Sequence, residues 1–181
     1  MLRNNVFLIG PMGSGKSTIG RHLARSLKLP FKDCDHELVK RTGASIPLIF
    51  EIEGEEGFRK RETALLDELT QESGLVLATG GGAVLREENR LHLKTRGLVI
   101  YLYASVEQLF LRTYRDKNRP LLQNDNPRQK LKELMAARDP LYRQVATLII
   151  HTEERSIRSV TKEILSRLEQ ECDFAVERGL R

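Results

Sequence analysis

A glycine-rich segment near the start of the chain has the residue types and spacing of a phosphate-binding loop. Residues 10–17 read Gly-Pro-Met-Gly-Ser-Gly-Lys-Ser and follow an apolar run at residues 6–9. In such loops backbone N–H groups bind phosphate oxygens, the lysine reaches the terminal phosphates, and the serine hydroxyl binds Mg²⁺. A structural turn explains the glycines but neither the lysine nor the hydroxyl. The segment predicts a site for a nucleoside triphosphate and Mg²⁺, formed by Gly13, Ser14, Gly15, Lys16, Ser17 and Thr18.

Two aspartates are the candidates for the acidic part of this site. A phosphate-loop enzyme normally supports its Mg²⁺ with a carboxylate at the end of a second apolar strand, but residues 75–79 end without one. Asp33 and Asp35 close the short predicted strand at residues 31–34, where extended geometry places them on one side, about 7 Å apart. This spacing suits one carboxylate near the metal and one near an acceptor hydroxyl. Alternatively, one of them only caps the helix that follows.

A glycine triplet and an arginine predict a second ligand. Gly80, Gly81 and Gly82 follow the predicted strand at residues 75–78, and such a run favours close approach of the backbone to a ligand over a bare turn. Arg59 is predicted in the first turn of a helix, where a cation opposes the helix dipole, so packing alone explains it poorly. Glu62 is predicted either to orient Arg59 or to form an ordinary surface pair with it.

The positive charge of the chain is concentrated in one segment. The net charge is +5, and residues 112–143 hold nine Lys and Arg against four Asp and Glu, so the rest of the chain is balanced. Such a local surplus favours a site for a small anion over a nucleic-acid surface. Its candidates are Arg112, Arg119 and Arg138, since the arginine fork binds carboxylate or phosphate. We expect the basic residues at 128, 130 and 132 to form only a solvated helix face.

The elements that must position these residues alternate between helix and strand. Short apolar runs at residues 6–9, 31–34, 75–78, 98–102 and 148–150 are predicted strands, separated by helical patterns. We therefore predict an α/β fold, a three-layer α/β/α sandwich with a five-stranded parallel sheet. Ligands bind at the carboxyl ends of strands in such sheets, and the phosphate loop, the aspartates and the glycine triplet all follow strands.

Several local signals place the helix boundaries. Gly43 is predicted to end a helix over residues 35–42, and Ser45 to cap the next one. A longer helix is predicted after Gly54 and Gly57. Ser105 and Gln108 predict a reciprocal capping box for a helix over residues 106–115. An amphipathic helix follows residue 157, whereas residues 172–181 show no clear pattern and are expected to fray.

Composition limits the classes of protein. The chain has 181 residues, 40% of them hydrophobic, which suits one globular domain. No apolar stretch approaches membrane-spanning length and the N-terminus has no signal-peptide pattern, so we expect a cytoplasmic protein without membrane contact. The two cysteines, Cys34 and Cys172, lie far apart and in no metal or redox spacing. Cys34 lies between two aspartates, which disfavour a thiolate, so we expect an inert side chain.

The ordered set of motifs resembles the shikimate kinase family over nearly all of residues 5–170. The matching blocks are Gly-Pro-Met-Gly-Ser-Gly-Lys-Ser-Thr-Ile-Gly at 10–20, Asp-Cys-Asp at 33–35 with Arg-Thr-Gly at 41–43, Glu-Gly-Phe-Arg-Lys-Arg-Glu at 56–62, Thr-Gly-Gly-Gly-Ala-Val at 79–84, Arg-Pro-Leu-Leu at 119–122, and Arg-Asp-Pro-Leu-Tyr at 138–142. The resemblance implies a P-loop, nucleoside monophosphate kinase-like fold. It also implies a substrate-binding helical insert at about residues 34–62 and a lid at about 113–126.

The same resemblance implies a reaction and a role for each residue. The γ-phosphoryl of ATP passes to the 3-hydroxyl of shikimate, on the path to chorismate and aromatic amino acids. Asp35 holds the acceptor hydroxyls and is the candidate base, while Arg59 and Arg138 bind the substrate carboxylate beside the glycine triplet. Further implied contacts are those of Arg119 to the transferred phosphate and the substrate, of Asp33 to Mg²⁺ through water, and of Arg112 and Arg155 to the adenine. The predicted enzyme is a monomer.

Other functions remain as alternatives. A kinase of the same fold that acts on gluconate or on a nucleoside monophosphate is the nearest, although a monophosphate needs neither Asp35 nor arginines spaced for a carboxylate. A regulatory GTP-binding switch is disfavoured because the chain has no Asn-Lys-x-Asp and no Asp-x-x-Gly motif. A nucleic-acid-binding module is disfavoured by the local charge surplus and by the absence of tryptophan with only scattered tyrosines.

Overall fold

A computed structural model describes residues 5–114 and 126–177, with side chains to residue 170. Its sheet has five parallel strands in the order β2-β3-β1-β4-β5, which confirms the predicted fold class. The strands are β1 (Asn5–Ile9), β2 (Phe31–Asp33), β3 (Val76–Ala78), β4 (Gly97–Tyr103) and β5 (Leu148–His151). The helices are α1 (Lys16–Leu27), α2 (Cys34–Thr42), α3 (Ile46–Gln71), α4 (Glu87–Arg96), α5 (Val106–Thr113), α6 (Pro127–Val145) and α7 (Ile157–Glu177).

The two faces of the sheet are covered by different helices. Side chains of β1 alternate between them, because successive residues of a strand point to opposite sides. Phe7 and Ile9 pack with residues of α3, α4 and α6, whereas Val6 and Leu8 pack with residues of α1 and α7. Both clusters are buried, so the predicted three-layer arrangement is confirmed. In the described part of the chain no helix is long and apolar enough to cross a membrane.

The boundary between β2 and α2 differs from the prediction. The strand ends at Asp33 and the helix begins at Cys34, so Asp35 lies in the first helical turn and not in an extended strand. The cause is the side chain of Asp33, which accepts hydrogen bonds from the backbone N–H groups of Asp35 and His36. Asp33 therefore caps α2, as the alternative interpretation of the two aspartates proposed.

Helix α3 is bent at Gly54. This residue has φ 68° and ψ −177°, which interrupt the helical backbone and require the left-handed region that glycine tolerates. The helix resumes directly afterwards, so Gly57 lies inside it and the predicted start after Gly57 is wrong. Arg59 consequently lies in the second turn after the bend, not in the first. The helix-dipole argument for Arg59 is therefore weaker than the sequence suggested, and its contacts must explain its position.

Three further features depart from the sequence pattern. A 3₁₀ turn (Ala83–Leu85) and α4 occupy a region for which no helix was predicted. The capping box of α5 is only half formed: Ser105 Oγ accepts from Gln108 N at 3.4 Å, but Ser105 N donates to Glu153 Oε1 at 2.5 Å. A carboxylate from the loop after β5 therefore replaces the glutamine. Finally, α7 continues to Glu177, into the segment that was expected to fray.

Candidate active site

The phosphate-binding loop connects β1 to α1 and encloses the ammonium group of Lys16. Lys16 Nζ donates to the carbonyl oxygens of Gly10 and Pro11, each at 2.8 Å. Gly15, the residue before α1, has no side chain that could accept hydrogen bonds from the first backbone N–H groups of the helix. Ser14 Oγ is buried and has no hydrogen-bond partner among the described residues. The loop therefore holds a cation and a buried hydroxyl, as an anion site requires.

Asp33 connects this loop to α2. Its Oδ2 accepts a hydrogen bond from Ser17 Oγ at 2.5 Å, while its Oδ1 caps α2. One carboxylate thus contacts both the start of α1 and the start of α2. A hydroxyl and a carboxylate side by side are hard oxygen donors of the kind that Mg²⁺ prefers, so Ser17 and Asp33 fit a magnesium site.

Asp35 lies beside the turn that follows β3. A Cβ atom placed on Gly80 would lie 3.1 Å from Asp35 Oδ1 and 2.3 Å from Glu62 Oε1, so both carboxylates approach this glycine. Cys34, next to Asp35, is buried, and burial raises the pKa of its thiol well above the ordinary value, with Asp35, Glu62 and Asp33 adding to the shift. The expectation that Cys34 is an inert side chain agrees with this raised pKa.

Arg59 belongs to a buried ion pair. Its Nη1 donates to Glu62 Oε2 at 2.7 Å and its Nη2 to Glu55 Oε1 at 3.1 Å. The side chains of Arg59 and Glu62 are only 8% and 2% exposed, which excludes an ordinary surface pair. Burial lowers the pKa of Arg59, but the two carboxylates outweigh it and the net shift is upward. Glu62 therefore holds a charged guanidinium in the interior, as one interpretation of the sequence proposed.

The glycine triplet packs directly against this ion pair. A Cβ atom on Gly82 would lie 2.3 to 2.4 Å from three atoms of the Arg59 guanidinium group. On Gly81 it would lie 3.3 Å from Met12 N in the phosphate-binding loop. The turn therefore lies between the phosphate-binding loop and Arg59. Glycine is required here because the backbone must pass close to a buried arginine, and the predicted approach of a ligand remains a prediction.

Arg138 approaches the same cluster from α6. It is 5% exposed, and its positive charge lowers the pKa of Glu62, although burial dominates and the net shift of Glu62 is upward. Four residues further along α6, the buried Tyr142 donates a hydrogen bond from its hydroxyl to the carbonyl oxygen of Gly81. Tyr142 was not among the predicted site residues. Its spacing from Arg138, one helical turn, was the available signal.

Arg112 and Arg155 lie at the loop after β5. Arg112 donates to Gly13 O at 3.2 Å, to Thr152 Oγ1 at 3.1 Å and to Thr152 O at 2.9 Å, so it joins the phosphate-binding loop to this loop. Arg155 instead contacts α7, with its Nη1 2.5 Å from Glu163 Oε2. Their contacts with adenine remain predictions.

The structure brings most of the predicted residues to one edge of the sheet. The phosphate-binding loop, the two aspartates, Arg59, the glycine triplet and Arg138 all lie at or against the carboxyl ends of β1, β2 and β3. Arg119 and most of the predicted lid fall outside the described residues. The basic helix face is as expected, since Arg128 is exposed and paired with Glu107. No cluster of three or more potential metal ligands of the His, Cys, Asp or Glu type occurs within residues 5–114 and 126–170.

The chain is similar to known shikimate kinases in sequence and in fold. The family model described as shikimate kinase matches residues 12–169. A shikimate kinase from Thioalkalivibrio sulfidiphilus is 62% identical over 161 residues, which cover 89% of this chain and 85% of the relative. A shikimate kinase from Acinetobacter baumannii, solved in complex with shikimate, superposes with a TM-score of 0.92 at 55% identity, over 94% of this chain and 95% of that one.

A more distant structure shows how far the fold alone extends. A gluconokinase from Sinorhizobium meliloti superposes with a TM-score of 0.66 at 18% identity, over 95% of this chain and 97% of that one. That likeness concerns the fold and not the substrate. The family assignment rests instead on the motif blocks, on the matching family model and on the high identity of the close relatives, which all indicate shikimate kinase. The chain belongs to the shikimate kinase family.

Proposed function

We propose that this protein transfers the γ-phosphoryl group of ATP to the 3-hydroxyl of shikimate, giving shikimate 3-phosphate and ADP on the path to chorismate and aromatic amino acids. The observation that carries the proposal is the glycine turn, which packs against the phosphate-binding loop on one side and against the buried Arg59 on the other. Gly81 approaches Met12 of the loop, while its neighbour Gly82 contacts Arg59. A triphosphate and a small carboxylic acid bound on the two sides of this turn would therefore meet.

The phosphate side of the reaction is assigned to the loop and Lys16. In the structure the Lys16 ammonium lies against loop carbonyl oxygens, within reach of the site where phosphates bind in such loops. Phosphoryl transfer demands mainly positioning and charge stabilisation from the protein. Lys16 would stabilise the charge on the transferred group, and Thr18 would add to the nucleotide contacts. Arg112 and Arg155 would lie along the adenine.

Ser17 and Asp33 are the residues that would hold Mg²⁺, with Asp33 acting through water. When bound, the ion would offset part of the negative charge of the phosphates. Because Asp33 also caps α2, these two residues connect the metal site to the helix that carries Asp35. Support for Mg²⁺ here is the pairing of a hydroxyl with a carboxylate at the start of α1.

The acceptor side is assigned to Asp35, Arg59 and Arg138. Asp35 would bind the hydroxyl groups and accept the proton of the attacking one, while the two arginines would bind the carboxylate beside Gly80, Gly81 and Gly82. Buried arginines are strong carboxylate ligands because their charge is weakly screened and their fork is planar. Arg119, in the lid, would contact the transferred phosphate and the substrate and exclude water upon closure.

The setting of the reaction follows from its substrates. The phosphate loop and both buried arginines belong to one chain, so we expect a monomer to be sufficient, and we expect it in the cytoplasm, where ATP is supplied. Small-molecule substrates require neither nucleic acid nor membrane binding. The proposed partners are therefore ATP and shikimate alone.

A coupled assay of ADP release tests the proposal. Purified protein is supplied with ATP, Mg²⁺ and, in turn, shikimate, quinate, gluconate and nucleoside monophosphates. We expect turnover with shikimate to exceed that with gluconate and the monophosphates by orders of magnitude. Turnover of gluconate or of a monophosphate at a comparable rate would contradict the proposal. The response to quinate measures the tolerance for related acids.

A further inference from the structure

Two buried tyrosines surround the turn of α6 that carries Arg138. Tyr142, on α6, donates its hydroxyl proton to Gly81 O. Tyr101, on β4, donates its hydroxyl proton to Asp139 Oδ1 at 2.7 Å. The two rings lie 4.9 Å apart, and both residues are fully buried. Arg138 is therefore flanked by two hydrogen bonds that connect α6 to other parts of the fold.

This part of α6 needs external support because it contains Pro140. Proline has no N–H group, so the helix loses the backbone hydrogen bond that residue 140 would donate to residue 136. The tyrosine contacts bracket that proline, one through residue 139 and one through residue 142. Asp139 is further held by Arg143, whose Nε donates to Asp139 Oδ2 at 2.7 Å. Side-chain hydrogen bonds thus stabilise a helical turn that lacks one backbone hydrogen bond.

The Tyr142 hydroxyl joins α6 to the glycine turn. Its single proton is given to the Gly81 carbonyl, which leaves the oxygen lone pairs for a donor. Arg138 lies one helical turn before Tyr142 on α6 and both residues are buried, so their side chains are neighbours on one face of the helix. A phenylalanine at position 142 would keep the ring but leave the Gly81 carbonyl without this donor. The hydroxyl therefore joins the helical turn that carries Arg138 to the glycine turn. Arg138 and the glycine turn are the two features assigned to the substrate carboxylate.

We propose that Tyr142, supported by Tyr101, is a positioning residue that sets Arg138 against the glycine turn for carboxylate binding. The proposal rests on the function proposed above. It predicts that the tyrosines act on the acid substrate through Arg138 and leave the nucleotide side unaffected. Replacement of a purely structural tyrosine would instead lower the stability of the protein and affect the KM for shikimate and the KM for ATP alike.

The test is a double-mutant cycle on steady-state kinetics, with Tyr142→Phe, Arg138→Lys and the double variant. We expect Tyr142→Phe to raise the KM for shikimate roughly tenfold, in line with the loss of a hydrogen bond to a buried carbonyl and the displacement of Arg138 from the glycine turn, and to leave the KM for ATP within about twofold. In the Arg138→Lys background the same change should raise the KM for shikimate less than about twofold further. Calorimetric titration with shikimate gives the same comparison without turnover.

Tyr103→Phe is the matched control. Tyr103 is on the same strand as Tyr101, and its ring lies 6.0 Å from that of Tyr101, but it contacts Arg143 and His151 rather than the glycine turn. We expect an unchanged KM for shikimate. Additive effects in the cycle, a parallel rise in both KM values, or equal results for the variants at 142 and 103 would overturn the proposal.

Two outcomes need separate treatment. If thermal unfolding shows that Tyr142→Phe does not fold, Tyr101→Phe replaces it in the same cycle, with an expected rise in the KM for shikimate of about threefold and the same dependence on Arg138. If the wild-type protein does not phosphorylate shikimate at all, the proposed function fails. The positioning role, in contrast, fails if the wild type is active but its tyrosine variants change the KM for shikimate no more than the KM for ATP.

Discussion

The two oxygens of Asp33 have separate partners, and this explains why two aspartates occur so close together. One oxygen caps α2 and the other accepts from Ser17. Because the cap places Asp35 in the first turn of α2, Asp33 and Asp35 cannot exchange roles. Asp33 belongs with the phosphate-binding loop, and Asp35 with the glycine turn. The proposed division between metal and acceptor hydroxyl therefore has a structural basis in the start of one helix.

Asp35→Asn is expected to abolish transfer and to preserve nucleotide binding. Asparagine keeps the shape of the side chain but is a poor proton acceptor, so kcat should fall by roughly 10²-fold or more, as for loss of a general base. Binding of ATP, measured by calorimetry, should change less than about twofold. Asp67→Asn is the control, since Asp67 pairs with Arg96 on the protein surface. A nearly normal rate for Asp35→Asn would refute its proposed contact.

Glu62 is a buried carboxyl whose pKa is raised by desolvation, although Arg59 opposes the shift. A carboxyl group with a raised pKa in the folded state stabilises the protein below its ordinary pKa, and this contribution is lost as the pH rises through the folded value. Glu62→Gln mimics the protonated form. The free energy of unfolding of the wild type relative to this variant should therefore fall as the pH rises above about 4.5.

Urea unfolding at a series of pH values measures this difference. Glu68→Gln is a control of opposite sign, because a hydrogen bond from Arg41 lowers the pKa of Glu68. The contribution of Glu68 to stability is present above its ordinary pKa and is lost as the pH falls. The free energy of unfolding of the wild type relative to Glu68→Gln should therefore rise with pH. The same sign for both variants would argue against the burial of Glu62 as the cause.

The turn after β3 is the element on which the two halves of the site depend. Gly82→Ala would place a Cβ atom 2.3 to 2.4 Å from the Arg59 guanidinium, which must then move. We expect the KM for shikimate to rise by roughly tenfold or more, because Arg59 loses its alignment, while the KM for ATP changes little. Steady-state kinetics with each substrate varied in turn checks this result.

Gly74→Ala separates the effect of the site from that of stability. Gly74 lies just before the start of β3, at the end of the strand away from the glycine turn, and has φ 73°. Alanine is strained at this φ by about 1 kcal/mol, and its Cβ atom would approach Leu29 and not Arg59. This variant should unfold at a lower temperature and keep both KM values. If it altered the KM for shikimate as strongly as Gly82→Ala does, the steric explanation would be wrong.

The predicted lid carries Arg119, which lies outside the described residues. Arg119→Ala is expected to lower kcat by roughly 10²-fold or more, as for loss of a group that stabilises transferred phosphate, and to weaken ATP binding far less. Arg128→Ala is the control, because Arg128 is exposed and paired with Glu107. Comparable losses in turnover and in nucleotide affinity would contradict the lid role.

The molecule as a whole should respond to both ligands through its folding equilibrium. A ligand at 100 times its dissociation constant stabilises the folded state by about 2.7 kcal/mol. For a protein of this size that corresponds to a rise in Tm of about 5–10 °C. We expect such a rise with shikimate and with ADP plus Mg²⁺, and a smaller one with ADP after removal of Mg²⁺ by a chelator. Differential scanning fluorimetry measures the shift, and an equal rise with gluconate would contradict the assigned substrate.

The parallel five-stranded sheet and the edge that carries the candidate site could be predicted from local patterns in the chain, whereas the order of the strands could not. Apolar runs, glycine positions and capping residues act over a few neighbouring positions, so the phosphate-binding loop, Asp35 and the glycine triplet were all recognisable. The parallel arrangement then requires the carboxyl ends of the strands to lie together. The class of reaction followed from these local features and from the family resemblance that they support.

Long-range contacts decided the rest. The sequence predicted that Glu62 pairs with Arg59, but only the packing against the glycine turn shows that this pair is buried and not on the surface. Likewise, Tyr142 bonds to Gly81 from 61 positions away. Desolvation and hydrogen bonds between distant elements leave no periodic trace along a chain, since they depend on which faces meet after folding. The motifs therefore identify the family of this protein, whereas the packing of α3 and α6 against one turn determines how its arginines are held.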